Sequence, residues 1–123
     1  MARSAVVPTA LVRNGSVVKP AATTIDATLV TNGVVVAKAD FKRTVFEVAN
    51  TAATPKNVII RGGDYPLASA GRQGDLSIPV TNATTREIGP FDSGRFAQDP
   101  GGDLHIDFEA GFTGSITARK LPK

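Results

Sequence analysis

Cysteine and tryptophan are missing from this 123-residue chain, and histidine, methionine and tyrosine occur once each. Without cysteine there are no disulfides, no thiolate metal sites and no cysteine nucleophile. A single His105 excludes a zinc site built on two or more imidazoles. No apolar run approaches the ~18 residues that span a bilayer. Arg3 precedes only a very short apolar stretch, interrupted by Pro8 and Thr9, which reads as a poor signal peptide. Leucine is scarce as well, with six residues against thirteen Val, seven Ile and thirteen Thr. β-branched side chains lose rotamer freedom in a helix and pack well on a pleated surface, so the imbalance favours strands.

What is there fits one domain. At this length about two thirds of the unfolded surface is buried, enough for a core without covalent staples. Twelve Gly and eight Pro are scattered rather than clustered, placing turns every eight to twelve residues, the rhythm of a sandwich or barrel. The net charge is only +3, but Arg3, Arg13 and Lys19 precede the first acid, Asp26, and the chain ends Arg119-Lys120-Leu121-Pro122-Lys123. Basic ends on a nearly neutral body suit solubility or docking on an acidic partner. Nucleic-acid binding would want aromatics interleaved with a basic stripe, and most of the six Phe sit where a core wants them.

The chain divides into an N-terminal arm, residues 1–20, and a single β-sandwich domain, residues 21–123. In the arm, Asn14-Gly15 predicts a hairpin pairing Ala10–Val12 with Ser16–Val18. A second Asn-Gly, at 32–33, predicts a hairpin between Thr24–Val30 and Val34–Ala39. Further strands are expected over Thr44–Ala49, Asn57–Arg61, Asp75–Val80, Arg86–Ile88, Arg95–Gln98, Leu104–Glu109 and Ser115–Arg119. Short links in the last third predict an antiparallel meander. Leu104, Ile106 and Phe108 alternate with His105, Asp107 and Glu109, giving one dry and one wet face, and Phe46, Val48, Ile116 and Ala118 join the dry side.

Chemistry is sparse. His105, Asp107 and Glu109 lie on one strand face with neighbours about 6.6 Å apart, a spacing that acid–base or metal chemistry could use; a wet strand face normally carries polar residues, so solvated surface is the simpler account. No Gly-x-Ser-x-Gly elbow presents a serine nucleophile, and Gly62, Gly63, Gly71 and Gly74 lack the Lys-[Ser/Thr] of a phosphate-binding loop. The reading is therefore of a protein without enzymatic activity and without cofactor or metal. Partner surface remains. Val6, Val7, Leu11 and Arg13 in the arm, and Asp64, Tyr65 and Arg72 in the long loop Gly62–Gly74, are the candidate contact residues. The arm either donates a strand to a neighbour or pairs within its own domain.

Ordered fragments carry a family resemblance. They are Arg13-Asn14-Gly15-Ser16 followed by Thr24-Ile25-Asp26-Ala27-Thr28, then Val48-Ala49-Asn50-Thr51 leading to Arg61-Gly62-Gly63-Asp64. Gly74-Asp75-Leu76 follows, with Ile88-Gly89-Pro90-Phe91, Arg95-Phe96, and the run Leu104 to Gly114. In this order and spacing, over most of residues 13–122, the chain resembles the small β-rich decoration (cement) or minor capsid proteins of actinobacterial tailed bacteriophages. That resemblance implies an all-β antiparallel sandwich, jelly-roll-like, on the outer capsid surface of a virion and made in the host bacterial cytoplasm. It further implies a homo-oligomer, three-fold by lattice symmetry, with the major capsid protein as partner, and no direct contact with nucleic acid or membrane. The rival readings are a phage neck or tail component, and a carbohydrate-binding sandwich, for which only Tyr65 could offer a sugar platform.

Overall fold

The computed structural model describes residues 3–18, 21–37, 39–62, 75–91, 96 and 102–122. Among the described residues, ten strands make two mixed five-stranded sheets packed as a sandwich, with a short helix between the third and fourth. The strands are β1 (Ser4–Ala5), β2 (Thr9–Ala10), β3 (Thr23–Ile25), β4 (Val34–Val36), β5 (Thr44–Asn50), β6 (Lys56–Ile60), β7 (Leu76–Val80), β8 (Thr84–Ile88), β9 (Leu104–Phe108) and β10 (Gly114–Lys120), with α1 (Ala27–Asn32) between β3 and β4. The first sheet runs β1-β4-β9-β6-β7; the second runs β2-β10-β5-β8, with β3 also against β10.

The pairing is nested. β6 pairs antiparallel with β7, β5 with β8, β4 with β9 and β3 with β10. This is one long antiparallel ribbon, whose two arms then meet again through β6·β9 and β5·β10. The expected meander gives way here, because consecutive strands β7, β8, β9 and β10 alternate between the sheets. Short links do not discriminate: three residues, 81–83, reach the ~10 Å from one sheet to the other at ~3.3–3.6 Å each. The sheets are mixed rather than purely antiparallel because the arm adds two parallel pairings, β1 to β4 and β2 to β10.

Alternation places the core as expected. Thr44, Phe46, Val48 and Asn50 of β5 point inward, as do Leu104, Ile106 and Phe108 of β9, with Val34, Val36, Val58, Ile60, Val80 and Ile116 completing the centre. Phe108 stacks at a tilt on Phe112, ring centres 5.3 Å apart. Asn50 is buried together with the polar Thr44 and Thr117: its amide donates to the Val80 carbonyl of the opposite sheet (2.9 Å) and to the Thr54 carbonyl (3.2 Å), and its oxygen accepts from the Ala52 N–H. Those partners offset the desolvation of a buried amide.

Three local expectations are corrected. Thr24–Val30 does not run on as a strand into an Asn32-Gly33 hairpin; it breaks at Asp26, whose side chain caps α1 by accepting from the Leu29 N–H (3.0 Å). Gly33 ends that helix at φ 79° and donates to the Leu29 carbonyl, so the glycine serves as a helix stop where a hairpin turn was expected. The caps outweigh a β-branched sequence with little helix preference. In the arm, Asn14 does adopt a positive φ, yet Ser16–Val18 is not a strand and no hairpin forms; β2 instead takes its partner from the far end of the chain, on β10. Of Arg95–Gln98 only Phe96 lies within the described residues. It is helical and buried, its ring edge-on to Phe91 at 5.8 Å.

Candidate interaction surface

The outer face of the first sheet carries an ordered line of charge. Arg3, just before β1, reaches over β4 to grip Asp107 on β9 through two hydrogen bonds of 2.6 and 3.3 Å, and also meets the Ile106 carbonyl. Arg61, at the end of β6, bonds the other side of Asp107 and continues to Asp75 at 2.6 Å. Asp75 in turn accepts from the Gly62 N–H at 2.7 Å, closing the base of the long loop. Only glycine at 33 lets this line form. Besides its positive φ, a Cβ there would collide with the Arg3 guanidinium and the Asp107 carboxylate.

This arrangement determines what the wet face can do. Burial pushes the Asp107 carboxyl up, but hydrogen bonds from Arg3 and Arg61 outweigh it and hold Asp107 below the usual carboxylate range. Asp75 shifts the same way: burial raises it, while the Gly62 N–H and Arg61 together lower it further. A general acid needs the reverse, a carboxyl raised toward neutrality. Glu109 accepts from the Asn57 N–H (3.0 Å) and lies 3.7 Å from Lys56. Among the described residues, no group of three His, Asp or Glu side chains could hold a metal ion.

A depressed folded-state pKa contributes stability above the unfolded value, near 4, and that stability is lost as pH falls through the folded values. Thermal melts should therefore drop steeply below about pH 5 in the native chain and more shallowly in Asp107→Asn. At pH 7 that substitution should cost about 1–3 kcal/mol, since it leaves two guanidinium groups with poorer partners. Parallel pH curves for the two chains would show that the line contributes nothing.

The second sheet treats charge similarly. Glu47 and Glu87 stand directly opposite on β5 and β8, a repulsive pairing, and Arg119 bonds both. The basic C-terminus is thus partly engaged within the domain, and is not wholly available to an acidic partner.

The arm is where exposed apolar surface gathers. It does not dangle: β1 pairs with β4, Val6 inserts between the sheets at 7 % exposure, and β2 pairs with β10. Of the candidate contacts, Val6 is therefore core rather than display, because its side chain closes the flank between the β4 and β10 edges. Leu11 is half-buried, its N–H bonded to the Lys120 carbonyl at 2.8 Å. Val7, 83 % exposed, and Arg13, also exposed, do face outward. Asp64, Tyr65 and Arg72, with the loop segment 63–74, lie outside the described residues. Four of the five exposed large hydrophobics in the described residues are Val7, Val12, Val17 and Val18; the fifth, Leu121, adjoins β2's partner strand.

The opposite flank is guarded. Pro79 lies within the edge strand β7 and offers no N–H, and Arg86, opposite the buried Val48, puts an exposed charge on the inner face of the edge strand β8. Both devices discourage pairing with another chain. Sequence reasoning missed Arg3, Arg61 and Asp75 as members of one line, since Arg3 and Asp107 are 104 residues apart. The alternation that put Asp107 outward was the only signal available. Compared with protein-family models, curated proteins and solved structures, the chain matches none of them.

Proposed function

We propose that this protein is a capsid decoration protein of a tailed phage, a structural component that seats on the major capsid protein lattice as a homo-oligomer of three-fold symmetry. The observation that carries the reading is the segregation of exposed apolar residues onto the arm side of a stiff sandwich whose other flank is guarded by Pro79 and Arg86. Exposed valines are costly to leave in water and mark a contact surface when they cluster. Many modest contacts repeated over a lattice then sum to firm attachment.

The jelly-roll winding belongs to the same proposal. Setting aside the two arm strands, the sheet orders β3-β10-β5-β8 and β4-β9-β6-β7, together with the four nested antiparallel pairs, support it.

Sedimentation with shells assembled from the matching major capsid protein tests this. The chain should pellet at a fixed ratio to the major subunit, and Val7→Ser with Val18→Ser should weaken the apparent affinity about 10²- to 10⁴-fold, from roughly 1.5–3 kcal/mol for each of the two buried valines. A chain that stays in the supernatant at saturating shell concentration overturns the reading.

A further inference from the structure

We propose that the arm exchanges between copies of this chain, residues 3–10 of one copy filling the slot along β4 and β10 of the next. The inference is independent of the capsid reading, since neither its residues nor its test involves a shell.

The slot is a separable feature of the fold. The nested pairs from β3 to β10 complete a sandwich without the arm. What the arm adds is a short set of contacts: Ser4 N–H to the Gly33 carbonyl, Val6 N–H to the Val35 carbonyl, the Val6 side chain in the flank, the Arg3–Asp107 pair, and the pairing of Thr9 and Ala10 with Arg119 and Lys120. Every one of these is available equally to an arm from the same chain or from another.

The linker decides that a neighbour is within reach. Ala10 lies opposite Lys120 and Thr23 opposite Ile116, along one edge of β10. Within one copy the chain need return only four residues along that edge, about 14 Å at ~3.4 Å each. Twelve residues, 11–22, make that connection. Extended, they span about 40 Å, whereas a domain of this length is about 35 Å across. Connections in compact domains are commonly 2–6 residues, so this one carries about 26 Å of slack, roughly three quarters of a domain width. The slack segment also holds Val12, Val17 and Val18, 55 %, 37 % and 91 % exposed. An apolar linker crossing between two copies places those side chains against a neighbour. Closed and exchanged forms share the arm contacts, so linker geometry and protein concentration set the balance; reciprocal exchange gives a dimer and head-to-tail exchange a closed ring.

Ala5 and Val35 are directly opposed in β1·β4 and neither is core, which makes them the probe. Chains carrying only Ala5→Cys and only Val35→Cys are mixed, unfolded, refolded together and oxidised. Exchange predicts a reducible cross-linked heterodimer between the two variants as the main product. Its absence, with Ala5→Cys plus Val35→Cys in one chain giving only an internally bridged monomer, overturns the proposal. Light scattering of the native chain decides the matter should the cysteine variants fail to fold. Oligomer is expected to grow in between roughly 1 µM and 1 mM, and a strict monomer throughout sinks the idea. Deleting residues 13–18 leaves six linker residues, about 20 Å extended, enough for the closed return but short of a neighbour, and should shift the balance toward monomer at least tenfold; an oligomer undiminished by the deletion overturns the proposal.

Discussion

Replacing Phe46 with alanine is expected to remove about 3–5 kcal/mol of folding stability. Phe46 is fully buried at the middle of the second sheet, its ring 5.8 Å from Phe91, which in turn lies 5.8 Å from Phe96. The truncation therefore deletes one ring and loosens the two that lean on it. Phe91 is anchored by its N–H to the Phe41 carbonyl at 2.8 Å, so it does not slide into the space, and the cavity persists rather than collapsing. Against a total of about 5–15 kcal/mol for a domain, this is a large share. The melting temperature should fall on the order of 10–20 °C. Val45→Ala, one position along and half-exposed on the outer face, should cost under about 1 kcal/mol. Denaturant unfolding of both variants checks the pair. A Phe46→Ala loss no larger than that of Val45→Ala would falsify the assignment of the inner face.

Gly114→Ala should be nearly as damaging, about 3–5 kcal/mol, for a different reason. Gly114 opens β10 at φ 140°, a conformation that side-chain-bearing residues avoid, and it is paired on both sides, with Asn50 of β5 and Ile25 of β3. A Cβ there would run into the Ala49 carbonyl, its carbon only 2.8 Å away. Backbone cannot swing aside as a flexible side chain can, so relief requires parting β10 from β5 at the point where β10 begins and β5 ends. Ser115→Ala, the next residue, meets neither problem and should change stability by no more than about 0.5 kcal/mol. Hydrogen exchange adds a spatial readout: amides near Asn50 and Ile25 should lose protection in Gly114→Ala first. Uniformly small loss in both variants would mean that the β10·β5 junction is looser than its register implies.

The strands that the alternation identified most cleanly are those with one buried and one wet face. β5 and β9 alternate apolar and polar residues, and the structure places both within a residue or two of expectation. Legibility failed where a local signal had two physical uses. Asn32-Gly33 offers a positive φ, which suits a hairpin turn or a helix stop equally. The cap three residues ahead of Leu29 settled it, and Asp26 was the sign to read. Asn14-Gly15 failed for the opposite reason. The turn is present, but the strand before it found a better partner on β10, over a hundred residues away.

The candidate surface divides the same way. Exposed Val7 and Arg13 could be read from an apolar, basic arm, whereas Val6 could not be told from Val7 until the flank between β4 and β10 was seen to need filling. Composition and period 2 alone determined a strand-rich domain without thiol chemistry and the inward faces of its clearest strands, because those follow from side-chain shape and the pleat. Tertiary structure decided which strands are neighbours, that Arg3 closes on Asp107 across Gly33, and that two edges are guarded while the arm side is apolar. Pairing between distant segments depends on how the whole ribbon winds, and no local preference encodes that.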